Sequence, residues 1–333
     1  MSRPRSLRVL FVRPHDAAGL PGLFGFERAR ERADVLPIPL LELATSVLLG
    51  SPHRAFVHDA RAATGGNREV RSVAAVHRAD VAVIWLHPAL LADGLEAARA
   101  ARQGGCTLVL GAGPLIWLWS EAAKGAVELD GLLPRDGAAG LLAALDCEAN
   151  KGTAREFLDA LQSTGELPVT ARGVDRKLLD YAAYRGLPRG RTGPGARVDK
   201  GRHAATPLLL HDARGRLRSV ADLRHELDAC ALLGIPRRAL ELAGEQVPDP
   251  AFLEQLLAGR TDRARYQVPI AGPLEDAGLR RLMDAGVVSL SVGAVPVDPD
   301  ALRALGARAA RWRAAGVQVS GELVFGLLPL EVE

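Results

Sequence analysis

Short apolar and β-branched runs alternate with helix-length segments along this 333-residue chain, and this alternation limits its possible folds more than any other feature. Strands that alternate with helices form parallel sheets joined by right-handed crossovers. In the first part, the predicted strands are Leu7–Val12, Ala55–His58, Val81–Leu86, Thr107–Leu110 and Leu129–Leu133. The predicted helices between and after them are Leu40–Leu49, Val70–His77, Leu91–Arg102 and Gly137–Leu145. The sequence therefore predicts an α/β protein whose first domain, residues 1–147, is a Rossmann-like or flavodoxin-like parallel sheet.

The same alternation resumes in residues 202–333. The predicted strands there are Ala239–Ala243, Arg265–Ile270, Val287–Val292 and Val317–Phe325. The predicted helices are Val220–Leu233, Pro250–Ala258, Pro273–Ala285 and Pro299–Ala315. This succession predicts part of a (β/α) barrel. Residues 148–201 are interpreted as a linker, helical over Asp175–Tyr184 and rich in Gly, Pro and Arg over Gly186–Gly201.

Composition excludes several classes of partner. Lys and Arg (42) barely outnumber Asp and Glu (39), and aromatic residues make up only 4% of the chain, so nothing indicates nucleic-acid binding. The apolar run near the N-terminus, Val9–Val12, is too short for a signal peptide, and no run approaches a membrane span. Three unclustered cysteines are typical of a reducing compartment. We therefore expect a soluble cytoplasmic protein without nucleic-acid or membrane partners.

Other chemistries are only weakly indicated. The loop VLGAGPLI lacks the third glycine of a dinucleotide-binding fingerprint, which disfavours a nicotinamide cofactor. Two carboxylates near predicted strand ends, Glu245 and Glu322, are compatible with acid–base work or with exposed loops. Scattered residues without a metal-site spacing are interpreted as surface or turn residues: His203, His211, Asp212 and His225.

The order of elements and several local phrases resemble the cobalamin-binding radical S-adenosylmethionine (SAM) proteins. The passage Ile38–Ala60 resembles the family's opening helix and second strand, and Gly111-Ala112-Gly113-Pro114 resembles its Gly-Gly-Pro-His loop. LLDYAAYRGLP, from Leu178 to Pro188, resembles the stretch before the radical domain. Within that domain, the similar phrases are RSVADLRHEL, LMDAGVVSLSVG and AAGVQVSGELVFGLLP. The resemblance covers about 300 residues in a shared order.

The chain departs from this family at the residues that cleave SAM. An iron–sulfur cluster needs several thiolates in one small volume, but the only cysteines are Cys106, Cys147 and Cys230. The family's Cys-x-x-x-Cys-x-x-Cys loop should lie between residues 198 and 218, where the chain reads KGRHAATPLLLHDARGRLR. Its Gly-Ile-Glu motif is represented by Gly293-Ala294-Val295, without the carboxylate. The resemblance therefore implies a degenerate member, shortened at its C-terminal end, without sequence support for the cluster or for SAM cleavage.

A corrinoid site at the carboxyl ends of the first-domain strands is the other implication of the resemblance. Glycines let a backbone approach a flat macrocycle closely, and nearby helix N–H groups supply donors. The alternative is that these glycines only form tight strand-to-helix turns, and that Trp117 and Trp119 pack rather than stack on a ligand. The predicted cofactor-binding residues are His15, His87, Gly111, Ala112, Gly113, Asp136, Gly137 and Gly293.

Three functional hypotheses follow. The first is a cobalamin-binding, radical SAM-like protein that no longer cleaves SAM and serves as a cofactor-binding or accessory partner in methyl or radical transfer. Its partners would be a corrinoid or another flat small molecule, and an intact radical SAM paralogue. The second is an active methyltransferase whose cluster has unorthodox or partner-supplied ligands. The third is a non-catalytic interaction protein or a decayed paralogue.

Overall fold

The computed structural model describes fifteen stretches of the chain. They are residues 5–15, 37–60, 62–86, 91–113, 126–134, 137–163, 173–179, 206–210, 216–233, 239–243, 250–258, 265–270, 276–284, 287–292 and 299–321. These residues belong to two compact units. The stretches up to residue 179 form the first unit, and those from residue 206 onward form the second.

The first unit is an α/β domain with a parallel sheet, as the sequence predicts. Its strands are β1 (Arg8–Arg13), β2 (Arg54–Asp59), β3 (Val81–Trp85), β4 (Leu108–Ala112) and β5 (Gly131–Leu132). Its helices are α1 (Ile38–Gly50), α2 (Asn67–His77), α3 (Leu91–Gln103), α4 (Ala138–Ala149) and α5 (Ala154–Leu161). All paired strands run parallel, in the order β2-β1-β3-β4-β5. This flavodoxin-like order reverses between β1 and β3, which makes that point the topological switch.

Both faces of this sheet are covered by helices, which explains the continuous apolar run within β1, Val9–Val12. On β1, Val9 and Phe11 pack into one core, whereas Leu10 and Val12 pack into the other. All four side chains are fully buried. The first core contains residues of α1, α4 and α5, and the second contains residues of α2 and α3.

Part of the segment interpreted as a linker packs on the first unit. Helix α5, which the sequence analysis does not predict, begins with a capping box formed by Thr153 and Glu156 and buries Phe157. Further along, the backbone N–H of Asp175 donates to Thr45 Oγ1 on α1 at 2.7 Å. The prediction of a helix from Asp175 is wrong for the residues described, because only a 3₁₀ turn forms at Arg176–Leu178 and the next residue is extended. The Gly-Pro-Arg stretch lies outside the described residues.

The second unit contains another parallel sheet with a simpler order. Its strands are β6 (Thr206–Leu209), β7 (Ala239–Ala243), β8 (Arg265–Ile270), β9 (Val287–Val292) and β10 (Gln318–Gly321). Its helices are α6 (Val220–Leu232), α7 (Pro250–Leu257), α8 (Asp276–Asp284) and α9 (Pro299–Ala314). Each strand pairs with the next one along the chain. The barrel itself stays a prediction, and the predicted end of the last strand lies outside the described residues.

A leucine-rich cluster forms the core of the second unit. It joins Leu208 of β6 to Leu223 of α6, Leu253 of α7 and Leu282 of α8, all fully buried, with Trp312 of α9. Strand β6 is not predicted from the sequence because Pro207 interrupts its apolar run. A proline is tolerated in an edge strand, and β6 lies at the end of the strand order. Among the helices described in either unit, none has the length and apolar character needed to cross a bilayer.

Candidate functional site

The carboxyl edge of the first sheet is the candidate site, because ligands of open α/β sheets bind outside the switch point. Strands β1 and β3 are neighbours there, although β2 lies between them in the chain. His15 follows the last residue of β1 by two positions, and Leu86 directly follows β3. Gly113 directly follows β4. The switch point therefore brings together three segments that are far apart in the sequence.

Asn67, the first residue of α2, fixes the chain after β1. The backbone N–H of His15 donates to Asn67 Oδ1 at 2.7 Å, and Asn67 Nδ2 donates back to the carbonyl oxygen of His15 at 3.0 Å. The same Nδ2 atom lies 3.2 Å from Glu96 Oε2 on α3. Asn67 is 5% exposed, His15 is partly exposed and Glu96 is exposed, so this network lies between the core and the surface. This residue was not singled out from sequence because its partners are distant in the chain; the only local signal is its place after Gly65 and Gly66.

His15 lies two residues beyond β1, at this edge of the sheet. The residue is partly exposed, and nothing in the described part of the chain hydrogen-bonds its ring. The ring lies over the start of α2, since a Cβ built on Gly66 would be 3.3 Å from His15 Cγ. Gly66 has a φ of +57°, a backbone conformation that favours glycine. His15 thus lies at the carboxyl edge of the first sheet, and its role in ligand binding stays a prediction.

Gly111 and Ala112, which end β4, and Gly113, which follows it, also lie at this edge, but contacts within the unit already require small residues at these positions. A Cβ on Gly111 would lie 2.6 Å from Leu86 Cδ1 and 2.7 Å from Leu132 Cδ2. Gly113 has a φ of +150°, and a Cβ there would overlap the carbonyl oxygen of Leu86. Ala112 is buried in the core on the α1–α4 side. These glycines are explained by strand packing whether or not a ligand is bound.

Packing within the unit also requires a glycine at position 137, which is buried at the N-cap of α4. A Cβ on Gly137 would lie 2.8 Å from Leu133 Cβ and 2.9 Å from the carbonyl oxygen of Pro134. The remaining predicted cofactor-binding residues, His87, Asp136 and Gly293, lie outside the described residues, as do Trp117 and Trp119.

In the second unit, the connection from β6 to α6 occupies the position at which the resemblance places the cysteine loop. The backbone N–H of Arg218 donates to the carbonyl oxygen of Leu210 at 2.9 Å, so these two residues of the connection lie next to each other. The sequence between these two residues contains no cysteine. His225 is exposed on α6, and the other residues considered for metal or acid–base chemistry, His203, His211, Asp212, Glu245 and Glu322, lie outside the described residues.

The three thiols lie in separate places. Cys106 packs in the core on the α2–α3 face of the first sheet, whereas Cys147 packs against the core on the opposite face. Burial raises the pKa of Cys106 to about 11, and burial followed by the nearby Glu156 and Glu148 also raises the pKa of Cys147. Cys230 is buried in α6. The first two thiols therefore cannot ligate one metal centre, and no group of three or more His, Cys, Asp or Glu side chains in the described stretches is arranged to hold a metal.

Comparisons with known proteins identify the fold. No family model matches the chain, and no curated protein matches it. The chain is similar to the radical S-adenosylmethionine methyltransferase TsrM from Kitasatospora setae, solved with cobalamin and a [4Fe-4S] cluster, with a TM-score of 0.61 and 15% identity. That match covers 97% of this chain and 67% of TsrM. A second TsrM structure, with tryptophan substrate and the SAM analogue aza-SAM, matches at 16% identity and a TM-score of 0.61, covering 97% of this chain and 68% of TsrM. At these identities the likeness shows the fold alone, an α/β fold with a parallel sheet of five strands in the first unit.

Proposed function

We propose that the chain binds cobalamin or a related corrinoid at the carboxyl edge of its first sheet, as a relative of the cobalamin-dependent radical SAM methyltransferases. The observation that carries this proposal is the fold match to TsrM, which was solved with cobalamin bound and which matches 97% of this chain. The strand order of the first sheet supports it. The helix that follows β1 packs on one face and the helix that follows β3 packs on the other, and such sheets hold ligands at the edge where this reversal occurs.

The described residues at this edge fit a corrinoid. His15 offers ring nitrogen atoms that no described residue uses, and imidazole is a common ligand of transition metals. Gly113 is partly exposed and has no side chain of its own, so its backbone can approach a flat ligand closely. A bound corrinoid would supply a cobalt atom able to carry a methyl group, and the protein would supply its orientation and its shielding from water.

The second unit does not fit the cluster that TsrM binds. The connection after β6 contains no thiol, Cys230 is buried in α6, and the other two cysteines belong to the first unit. We therefore propose that the second sheet is an arc of a radical SAM-like barrel that lacks the cluster. A chain of this kind would serve as a cofactor-binding or accessory partner, with a cysteine-complete paralogue carrying out SAM cleavage.

Titration with hydroxocobalamin tests the corrinoid site. The expected result is one corrinoid per chain after exhaustive dialysis, with a visible spectrum that differs from that of free hydroxocobalamin. The His15→Ala variant should change that spectrum or weaken binding, whereas His225→Ala, which alters an exposed histidine of the second unit, should change neither. Loss of all corrinoid from the wild-type protein on dialysis would overturn the proposal.

Anaerobic reconstitution with iron and sulfide tests the second part of the proposal. The expected result is iron at the background level and no 5′-deoxyadenosine after addition of SAM and a reductant. Stoichiometric iron and sulfide, together with SAM cleavage, would instead favour an active enzyme with unorthodox ligands. A stable complex with a cysteine-complete relative, measured by analytical ultracentrifugation, would support the accessory role.

A further inference from the structure

The side chain of Asn67 joins three segments at the switch point of the first sheet. It binds both backbone groups of His15 after β1, it begins α2, and its Nδ2 atom contacts the first turns of α3. The α3 contacts are Glu96 Oε2 at 3.2 Å and the carbonyl oxygen of Asp93 at 3.4 Å. One amide thus connects the end of a central strand to the two helices that follow the neighbouring strands.

The orientation of this amide is fixed by its partners. Oδ1 must accept because the N–H of His15 can only donate, and Nδ2 must donate because the His15 carbonyl and the Glu96 carboxylate can only accept. Asn67 is 5% exposed, so water cannot readily replace it. Removing the amide would leave the backbone groups of His15 without these two partners in a partly buried position.

The hydrogen bonds of Asn67 lie at the switch point, where a ligand of this sheet would bind. A ligand at the switch point would contact the chain immediately after β1, and this is the stretch that Asn67 holds. Fixing a binding segment before the ligand arrives reduces the conformational entropy lost on binding. We propose that Asn67 is a positioning residue for the corrinoid site, one that holds His15 in its binding geometry without touching the ligand. This inference rests on the proposed corrinoid-binding function.

Asn67→Ala tests the inference directly, with Asn150→Ala as the matched control. Asn150 also donates a side-chain hydrogen bond, to the carbonyl oxygen of Asp146 at 2.7 Å, but it is exposed at the C-cap of α4. Residues that orient metal ligands typically contribute about 10–100-fold to affinity. We expect Asn67→Ala to weaken hydroxocobalamin binding by about 10-fold or more, and Asn150→Ala to leave it unchanged.

Substitutions that move the carboxylate between positions 96 and 67 separate the positioning of His15 from a general loss of protein stability. Asn67→Asp keeps the acceptor for the His15 N–H but places two carboxylates against each other at Glu96. Glu96→Gln should weaken hydroxocobalamin binding less than Asn67→Asp does. The amide oxygen of the introduced glutamine can still accept a hydrogen bond from Asn67, and position 96 is exposed. In the Asn67→Asp, Glu96→Gln double variant, the Gln amide can donate to the new carboxylate. We expect the double variant to bind more tightly than Asn67→Asp alone.

Hydrogen exchange of the His15 amide in the ligand-free protein provides a readout that does not depend on cobalamin. The exchange should be faster in Asn67→Ala than in the wild type, and unchanged in Asn150→Ala. Equal affinity of the wild type and Asn67→Ala, or equal exchange of the His15 amide, would overturn this inference and leave the corrinoid proposal standing. Failure of the wild type to bind cobalamin would overturn both.

Discussion

The guanidinium of Arg218 lies 2.8 Å from the carboxylate of Glu226, and the two side chains are only 9% and 3% exposed. Arg218 precedes α6 and Glu226 lies within it, so the pair connects the end of the β6–α6 connection to the helix. The backbone N–H of Arg218 also donates a hydrogen bond to the carbonyl oxygen of Leu210, at the start of that connection. A buried charge pair therefore stabilises the part of the second unit in which the resemblance places cluster ligands.

Breaking this pair should destabilise the second unit strongly. Removing Glu226 takes away a largely buried, charge-assisted hydrogen bond, and such a bond contributes about 1.5–3 kcal/mol. We expect Glu226→Ala to lower the free energy of unfolding by this amount in urea denaturation followed by circular dichroism and tryptophan fluorescence.

The exposed pair of Arg281 and Glu254 serves as the control. Its atoms are 2.7 Å apart, but its side chains are 49% and 41% exposed. Exposed pairs contribute about 0.2–1 kcal/mol, so Glu254→Ala should have a small effect. Equal effects of the two substitutions would contradict the conclusion that burial makes the Arg218–Glu226 pair important.

Gly113 and Gly105 allow the cost of steric overlap to be separated from the cost of backbone conformation. Both have positive φ values, +150° and +107°, but a Cβ on Gly105 would meet nothing within 4 Å. A Cβ on Gly113 would overlap the carbonyl oxygen of Leu86. Gly105→Ala should cost about 1–2 kcal/mol from backbone conformation alone, and Gly113→Ala should cost more in thermal or urea unfolding. A smaller effect at Gly113 would show that β3 and β4 can separate there at little cost.

Thiol labelling should distinguish the cysteines by burial. Cys106 and Cys230 are buried, and the pKa of Cys106 is raised to about 11, so little thiolate is present at neutral pH. Cys147 is partly exposed. We expect iodoacetamide to modify Cys147 first in the native protein, and the other two only after unfolding, as measured by peptide mass spectrometry. Rapid native labelling of Cys106 or Cys230 would show that the cores around them open readily.

Most of the secondary structure could be predicted because hydrophobic periodicity is a local signal. Strand Arg265–Ile270 and strand Val287–Val292 have the predicted bounds. Helix α5 was missed although its signal was present, since Thr153 and Glu156 have the spacing of a capping box. Strand β6 was missed because Pro207 and the basic residues before it are typical of a loop.

The candidate site was harder to predict because its contacts are not local. His15 could be placed at the sheet edge from the end of its strand, but its partner Asn67 lies 52 residues away in the sequence. The glycines of the Gly111-Ala112-Gly113 loop are easily read as ligand contacts, although Leu86 and Leu132 already require them. A glycine in the sequence is compatible with a bound ligand, a close neighbour or a positive φ alone, as at Gly105, and only the structure shows which of these applies.

One buried histidine, His53, and one half-buried histidine, His58, should make stability fall in mild acid. Burial lowers the pKa of His53 and of His58 below 6.5, more than the nearby carboxylates, Asp146 for His53 and Glu69 and Asp59 for His58, raise it. Both histidines therefore bind protons more weakly in the folded protein than in the unfolded chain. Their contribution to stability is complete above pH 6.5 and is lost as the pH falls from 6.5 through the folded-state pKa values.

The double variant His53→Gln, His58→Gln should show less of this loss, because glutamine does not titrate. Unfolding free energies measured in urea across this pH range test the expectation, and His225→Gln, at an exposed position of α6, provides the control. The Nδ1 atom of His53 accepts a hydrogen bond from the backbone N–H of Leu7 at 3.2 Å, so the double variant should also be less stable at neutral pH. The informative quantity is therefore the slope of stability against pH. An unchanged slope would assign the acid sensitivity to other groups.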